Sequence, residues 1–153
     1  MRVSFSWILL LALTVASCSK SSQNASTQSL LQNRWVLLSE SYSYPTIPNS
    51  GTEVYNGYAA DFYQFNGNDT LMISQSGTIF SPGYPLLLLR KYSLINSNQI
   101  FLYGNTNIAA DTLTIQKLNA DSLILTSPVY FSYVDSLQHQ VTATGIETIT
   151  LFR

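Results

Sequence analysis

The feature of this chain that most constrains its fold is a succession of short apolar and β-branched runs separated by turn signals. From Arg34 onward no segment shows a convincing 3.6-residue period. Residues 112–118 show the cleanest alternation, with Leu113 and Ile115 on one face and Thr112, Thr114 and Gln116 on the other. Alternation of this kind is typical of strands with one buried face. The pattern predicts strands over 34–42, 58–65, 70–76, 88–95, 99–103, 112–118, 122–127 and 140–152.

The connections between these strands alternate between tight and long. Tight hairpin signals lie at 66–69, 96–98 and 119–121, where Asn, Gly, Asp and Ser are concentrated. The intervening links are long and cover 43–57, 77–87, 104–111 and 128–139. In an up-and-down meander this rhythm predicts one end closed by tight turns and another surrounded by long loops. We therefore expect an all-β fold, an eight-stranded (eight to nine) antiparallel up-and-down β-barrel, whose interior is filled or holds one ligand.

Residues 30–153 also resemble the lipocalin-like domains common among lipoproteins of Bacteroidota. The resemblance is carried by Leu30-Leu31, by Trp35 at the entry of the first strand and by Arg153 at the end of the last. In lipocalins a Gly-x-Trp at this place packs across the barrel base against an arginine, a cation–π contact; here Asn33 stands at the glycine position. The resemblance implies a barrel-base contact between Trp35 and Arg153. The alternative is an ordinary core tryptophan and a solvated C-terminal arginine.

The N-terminus has a basic start, an apolar run at 7–13 and the sequence Val-Ala-Ser-Cys ending at Cys18. The run is too short to span a bilayer as a helix and is typical of a secretory signal. It resembles the lipobox of bacterial lipoproteins, which implies cleavage before Cys18 and diacylation of that cysteine. We expect a signal peptide at 1–17, a flexible tether at 18–28 and a lipocalin-like barrel at 29–153. A chance cysteine near an ordinary signal is the alternative.

Charge and motif content exclude several classes of function. Arg2 leaves with the signal, so six of the seven Lys and Arg remain against eight Asp and Glu, a balance that does not suit nucleic acid. The chain has one histidine, His139, and no second cysteine, so a zinc site is not expected. No Gly-x-Ser-x-Gly elbow or glycine-rich phosphate loop occurs. We expect no catalytic residues, no metal and no cofactor, and interpret the chain as a non-enzyme.

Aromatic residues accumulate in and beside the first two long links, and prolines accompany them. Such residues suit a ligand mouth, and they predict binding or carriage of a small apolar ligand in a cavity of a few hundred Å³. The alternative is that they plug the barrel, which then contacts an envelope protein or a glycan through its loops. The rim candidates are Tyr42, Tyr44, Tyr55, Tyr58, Phe80 and Tyr84.

Asp followed by Ser or Thr and then Leu occurs four times, and this motif is similar to the O-glycosylation acceptor of Bacteroidota envelope proteins. The alternative explanation is structural. The Asp closes a turn, the Ser or Thr begins the next strand with its hydroxyl facing outward, and the Leu points inward. The possible acceptors are Thr70, Thr112, Ser122 and Ser136.

The expected location is the bacterial outer membrane, reached through the lipid anchor. No acidic residue lies between Cys18 and Glu40, unlike the acidic signals that accompany surface export in Bacteroidota. This favours a periplasm-facing protein over a surface-exposed one.

Overall fold

A computed structural model describes residues 26–44, 51–67, 69–78, 83–135 and 137–153. Nine strands account for most of these residues: β1 (Arg34–Ser43), β2 (Thr52–Asn56), β3 (Phe62–Asn66), β4 (Thr70–Gln75), β5 (Leu86–Asn96), β6 (Gln99–Leu102), β7 (Asp111–Leu118), β8 (Ser122–Val134) and β9 (Gln140–Phe152). Within the described ranges, no helix is both long enough and apolar enough to cross a membrane.

The strands form a closed antiparallel barrel. Neighbours follow the chain from β3 to β9, and β1 closes the sheet by pairing with β3 on one side and β9 on the other. β2 is a ninth strand. It pairs with residues 39–43 of β1, whereas β3 pairs with residues 34–36 of the same strand. The predicted eight-stranded up-and-down β-barrel is confirmed.

The two ends of the barrel differ as the connections predicted. The turn residues Gly67 and Asp69 and the tight turns 97–98 and 119–121 lie at one end, called the base, together with Arg153. The connections after β1, β4, β6 and β8 lie at the other end, called the mouth. Since β1 rises from base to mouth, side chains late in β1 and early in β9 belong to the mouth half.

Two of the predicted long links are wrong, because strands occupy much of them. β2 takes up residues 52–56 of the expected link 43–57. β8 and β9 continue as a hairpin to the turn at 135–139, where a loop over 128–139 was expected. Pro128 lies inside β8, which argued against a strand. It is tolerated because β8 pairs with β9 alone beyond Thr126, so a missing N–H need not interrupt a second ladder.

The base half of the barrel is a filled apolar core. Residues 26–31 form a short helix that covers the base, with Leu31 and Trp35 fully buried. Gln28 Nε2 donates to the Tyr92 hydroxyl (2.8 Å), and the Phe65 and Tyr92 rings pack edge to face at 5.2 Å. The predicted tether therefore contributes residues 26–28 to the folded domain, because the core leaves room for one helical turn against its lower rim.

Candidate functional site

A β-bulge in β1 decides which residues of the first strand enter the barrel. Trp35 and Leu37 point inward, but the register with β9 shifts between Leu37 and Ser39, so that Leu38 is an extra, exposed residue. After the bulge the inward positions are Glu40 and Tyr42, both buried. Strict alternation would place these two side chains outside, and a bulge commonly redirects side chains in this way.

The mouth half of the barrel contains a cavity of about 200 Å³ that is partly open to solvent. Aliphatic side chains such as Ile73, Leu113 and Ile149 line it toward the apolar core. Eight of the fourteen lining residues bring polar groups: Glu40, Tyr42, Tyr63, Gln75, Thr78, Arg90, Asp111 and Glu147. The barrel is thus neither solid throughout nor hollow throughout, and its open part has an amphipathic wall.

Glu40 and Glu147, called the acid pair below, are joined by one hydroxyl. The Tyr42 hydroxyl lies 2.5 Å from Glu40 Oε1 and 2.8 Å from Glu147 Oε1. Gln75 Nε2 donates to Glu40 Oε2 (2.6 Å), and Ser127 Oγ donates to Glu147 Oε2 (2.7 Å). A hydroxyl has a single hydrogen, so the simplest arrangement has it donating to one carboxylate while a proton on the other acid donates to the hydroxyl oxygen.

The environment of the acid pair agrees with that count of protons. Burial, and then the carboxylates of Glu40 and Asp111, raise the pKa of Glu147, although hydrogen bonds from Ser127 and Tyr42 act in the opposite direction. Burial and the Glu147 carboxylate raise the pKa of Tyr42, so the hydroxyl keeps its hydrogen. The raised pKa of Glu147 means that this acid holds a proton to a higher pH than an exposed glutamate does.

Arg90 lies across the cavity from Glu147. Three barrel strands separate β5 from β9 in either direction around the sheet. β5 pairs with β6 only from Tyr92 onward, and Arg90 Nη2 donates to the carbonyl oxygens of Leu102, Tyr103 and Ala109 beyond that point (3.3, 3.4 and 2.8 Å). The side chain is 9% exposed, and its Nε–H has no hydrogen-bond partner among the described residues.

A second buried carboxylate, Asp61, holds the mouth loops together and does not line the cavity. It receives hydrogen bonds from the Tyr55 hydroxyl (2.7 Å), the Tyr58 N–H (2.9 Å) and both the N–H and hydroxyl of Ser76 (2.6 and 2.7 Å). Burial alone would raise the pKa of Asp61, but these hydrogen bonds outweigh it and the pKa is lowered. Asp61 therefore joins the β2–β3 connection to the loop after β4.

The aromatic rim predicted from the sequence does not converge on the cavity. Tyr42 lines it, from inside the barrel. Tyr44 packs edge to face on Phe131 at 4.2 Å, and Tyr55 is committed to Asp61. Two further candidates are largely exposed, at 64% for Tyr58 and 76% for Tyr84. Phe80 lies outside the described residues.

The remaining sequence-predicted residues lie away from the cavity. The structure brings Trp35 and Arg153 together at the base, with the guanidinium carbon 5.2 Å from the ring centroid. Thr70, Thr112 and Ser122 are half-buried at strand starts, so their glycosylation stays a prediction. Cys18 and Ser136 lie outside the described residues. His139 is largely exposed beside Asp135 (3.5 Å).

Sequence reasoning missed Glu40, Glu147 and Arg90, which define the polar wall. One signal in the sequence could have found two of them. Arg90 and Glu147 are charged residues within predicted strands that otherwise carry little charge. Glu40 gave no such signal, because the bulge that turns it inward depends on pairing with β9. Among the described residues, no group of three or more His, Cys, Asp and Glu side chains is arranged to hold a metal ion.

No protein-family model matches this chain, and no curated protein matches it significantly. The functional argument therefore depends on the cavity itself.

Proposed function

We propose that this protein is a lipid-tethered, lipocalin-like barrel that binds a small molecule in its mouth cavity and acts as a binding or carrier protein, not as an enzyme. The supporting observation is a closed barrel whose base half is packed and whose mouth half keeps a partly open cavity with converging polar groups. Concave, mostly preformed sites with a few placed polar groups are the usual form of small-molecule sites. At about 200 Å³ the cavity suits a small ligand.

The sequence expectation of an apolar ligand is modified in this proposal. Burying an ionisable side chain without a partner is costly, so eight polar residues around one small cavity do not favour a purely apolar ligand. An amphipathic molecule would satisfy both the aliphatic and the polar part of the wall.

The proposed setting is the cell envelope. Residues 1–17 would be removed, Cys18 would carry the lipid, and a tether of residues 19–25 would join it to the helix at the barrel base. The base would then lie toward the outer membrane and the mouth away from it, because the tether enters at the base. A periplasm-facing orientation is part of the same proposal.

Native mass spectrometry of the full-length protein, purified in mild detergent from its own host, tests this function. Extra mass that is present in the native spectrum and lost on denaturation would identify a bound small molecule. A diacylglyceryl mass on the N-terminal peptide would test the anchor separately. Bare polypeptide in the native spectrum, together with failure to bind small molecules, would contradict the carrier function.

A second candidate function, contact with an envelope protein, is favoured by the end of the β8–β9 hairpin. Beyond Thr126 this hairpin extends past the β7 pairing, and it exposes Tyr130 (72%), Val134 (61%) and Ile146 (53%). Exposed apolar residues of this kind are used at protein contacts. Cross-linking in intact cells from a photoreactive residue at position 130 would test it, with position 116 on the exposed face of β7 as the control.

A further inference from the structure

Charged side chains of both signs line the cavity: Arg90 on one side of the balance, and Glu40, Asp111 and Glu147 on the other. In the described part of the chain, no lysine or arginine forms an ion pair with Glu40 or Glu147, and no carboxylate pairs with Arg90. The guanidinium is held by backbone carbonyl oxygens, which share its hydrogens but do not neutralise its charge. A buried charge is normally compensated by an opposite charge, so this arrangement favours compensation by a ligand.

The acid pair still has room to accept hydrogen bonds. The two carboxyl groups offer about eight lone-pair sites, and the described contacts use few of them: Tyr42 lies between the two groups, Gln75 binds Glu40, and Ser127 binds Glu147. The pair presents its unused acceptor sites and its negative charge to the cavity. That charge suits one ammonium group.

Arg90 offers the complementary contact. Its Nε–H is buried and unpartnered, although its side chain lines the cavity. Leaving a buried donor unsatisfied is costly, and a hydrogen-bond acceptor on the ligand would remove that cost. A carboxylate suits a guanidinium best, because charge and hydrogen bonding act together.

We propose that the mouth cavity binds a small amphoteric molecule, whose ammonium group contacts Glu40 and Glu147 and whose carboxylate contacts Arg90. This inference rests on the proposed small-molecule binding and names the chemical class of the ligand. The aliphatic residues between the two walls, among them Ile73, Leu113 and Ile149, would contact the carbon chain that joins the two charged groups.

Isothermal titration of the full-length protein, washed free of resident ligand in detergent, tests the class with defined probes. The probes are ω-amino acids from glycine to 6-aminohexanoate, each compared with the amine and the carboxylate of equal chain length and with the neutral alcohol. We expect at least one ω-amino acid to bind tenfold or more tightly than its amine, its carboxylate and its alcohol.

Variants test which residues of the protein contact the ammonium end and the carboxylate end of the probe. Arg90→Gln is expected to remove the advantage of the amino acid over the amine, and Glu40→Gln, which removes a carboxylate from the acid pair, to reduce its advantage over the carboxylate. Lys91→Gln is the matched control, because Lys91 is the next residue of β5 and is exposed outside the barrel. If Arg90→Gln fails to fold, Arg90→Lys keeps the charge without the Nε–H, and the wild-type probe comparison stands without any variant.

The outcomes separate this inference from the proposed function. Equal binding of the amine and the amino acid, or of the alcohol and the amino acid, would overturn the amphoteric class. If no probe binds while native mass spectrometry finds a small molecule from the host, the class is wrong and the binding function stands. If no probe binds and no host molecule is found, both are wrong.

Discussion

The guanidinium of Arg153 lies over the ring of Trp35, 5.2 Å from its centroid, and so joins the last residue of the chain to the entry of its first strand. Arg153 also donates to the Ala120 carbonyl oxygen through Nη1 (2.9 Å), and Trp35 donates to the Leu31 carbonyl oxygen through Nε1 (3.2 Å). One cation–π contact therefore connects the base helix, β1 and the turn before β8.

Replacing Arg153 with alanine should lower the free energy of unfolding by about 0.5–1 kcal/mol, the usual value of an exposed cation–π contact. Urea denaturation measures the effect. Lys117→Ala is the matched control, since Lys117 is an exposed cation near the same end of the barrel. Equal stability of the two variants would show that the contact does not stabilise the barrel.

Because the pKa of Glu147 is raised in the folded protein, we expect its contribution to stability to fall as the pH rises. Its pKa is raised in the folded protein, so the protonated form stabilises the fold below the unfolded pKa of about 4.3, and this stabilisation is lost as the pH rises through the folded value. The groups facing Glu147 are Glu40, Asp111, Tyr42 and Ser127. Glu147→Gln stays neutral and should lose less stability over the same rise. Parallel curves of unfolding free energy against pH for the two proteins would contradict the raised pKa.

Because the pKa of Asp61 is lowered, we expect its contribution to stability to fall as the pH is lowered. Its pKa is lowered, so its contribution is present above the unfolded pKa of about 3.9 and is lost as the pH falls through the folded value. Asp61→Asn should cost about 3 kcal/mol at neutral pH, because the amide NH₂ cannot accept from both Tyr55 and Tyr58. Asp69→Asn is the control: Asp69 lies in an exposed turn at φ 55°, which asparagine tolerates.

Gly57 is required by a close approach of two chain segments. Its N–H donates to the Leu38 carbonyl oxygen (3.0 Å), and a Cβ atom here would overlap the backbone of Leu37. Gly57→Ala should therefore destabilise the protein by about 2 kcal/mol or more, measured by thermal or urea unfolding. At Gly67 a Cβ would meet only ordinary contacts with Gln32, so Gly67→Ala should cost less than 1 kcal/mol. A small effect at Gly57 would mean that the bulge region shifts easily.

The predicted positions of the tight turns agree with the structure, because Asn, Gly and Asp adopt turn conformations for local reasons. Strand lengths agree less well. Residues 128–134 belong to a predicted long link, and they begin with Pro128, a residue that disfavours a central strand. They form a strand because β9 supplies a hydrogen-bonding partner for their whole length.

The candidate site was predicted poorly for a related reason. The predicted rim follows from residue type and from position in long links. In the structure Tyr44 packs on Phe131 and Tyr55 donates to Asp61, whereas Tyr58 and Tyr84 are largely exposed. The polar wall comes from side chains inside strands. Their meeting depends on barrel closure, which brings β1 beside β9 and places β5 across from them.

The sequence by itself determined the all-β class, the number of barrel strands and the alternation of tight base turns with longer mouth connections, since these follow from local propensity and side-chain period. Only the tertiary structure decided that Glu40 points inward, that it shares the Tyr42 hydroxyl with Glu147, and that Arg90 lies across the cavity without a carboxylate partner. Alternation along a strand shows which residues share a face, but it does not show where a bulge exchanges the inward and outward faces. One extra residue at Leu38 reverses that assignment, and its position is set by pairing between strands more than a hundred residues apart in sequence.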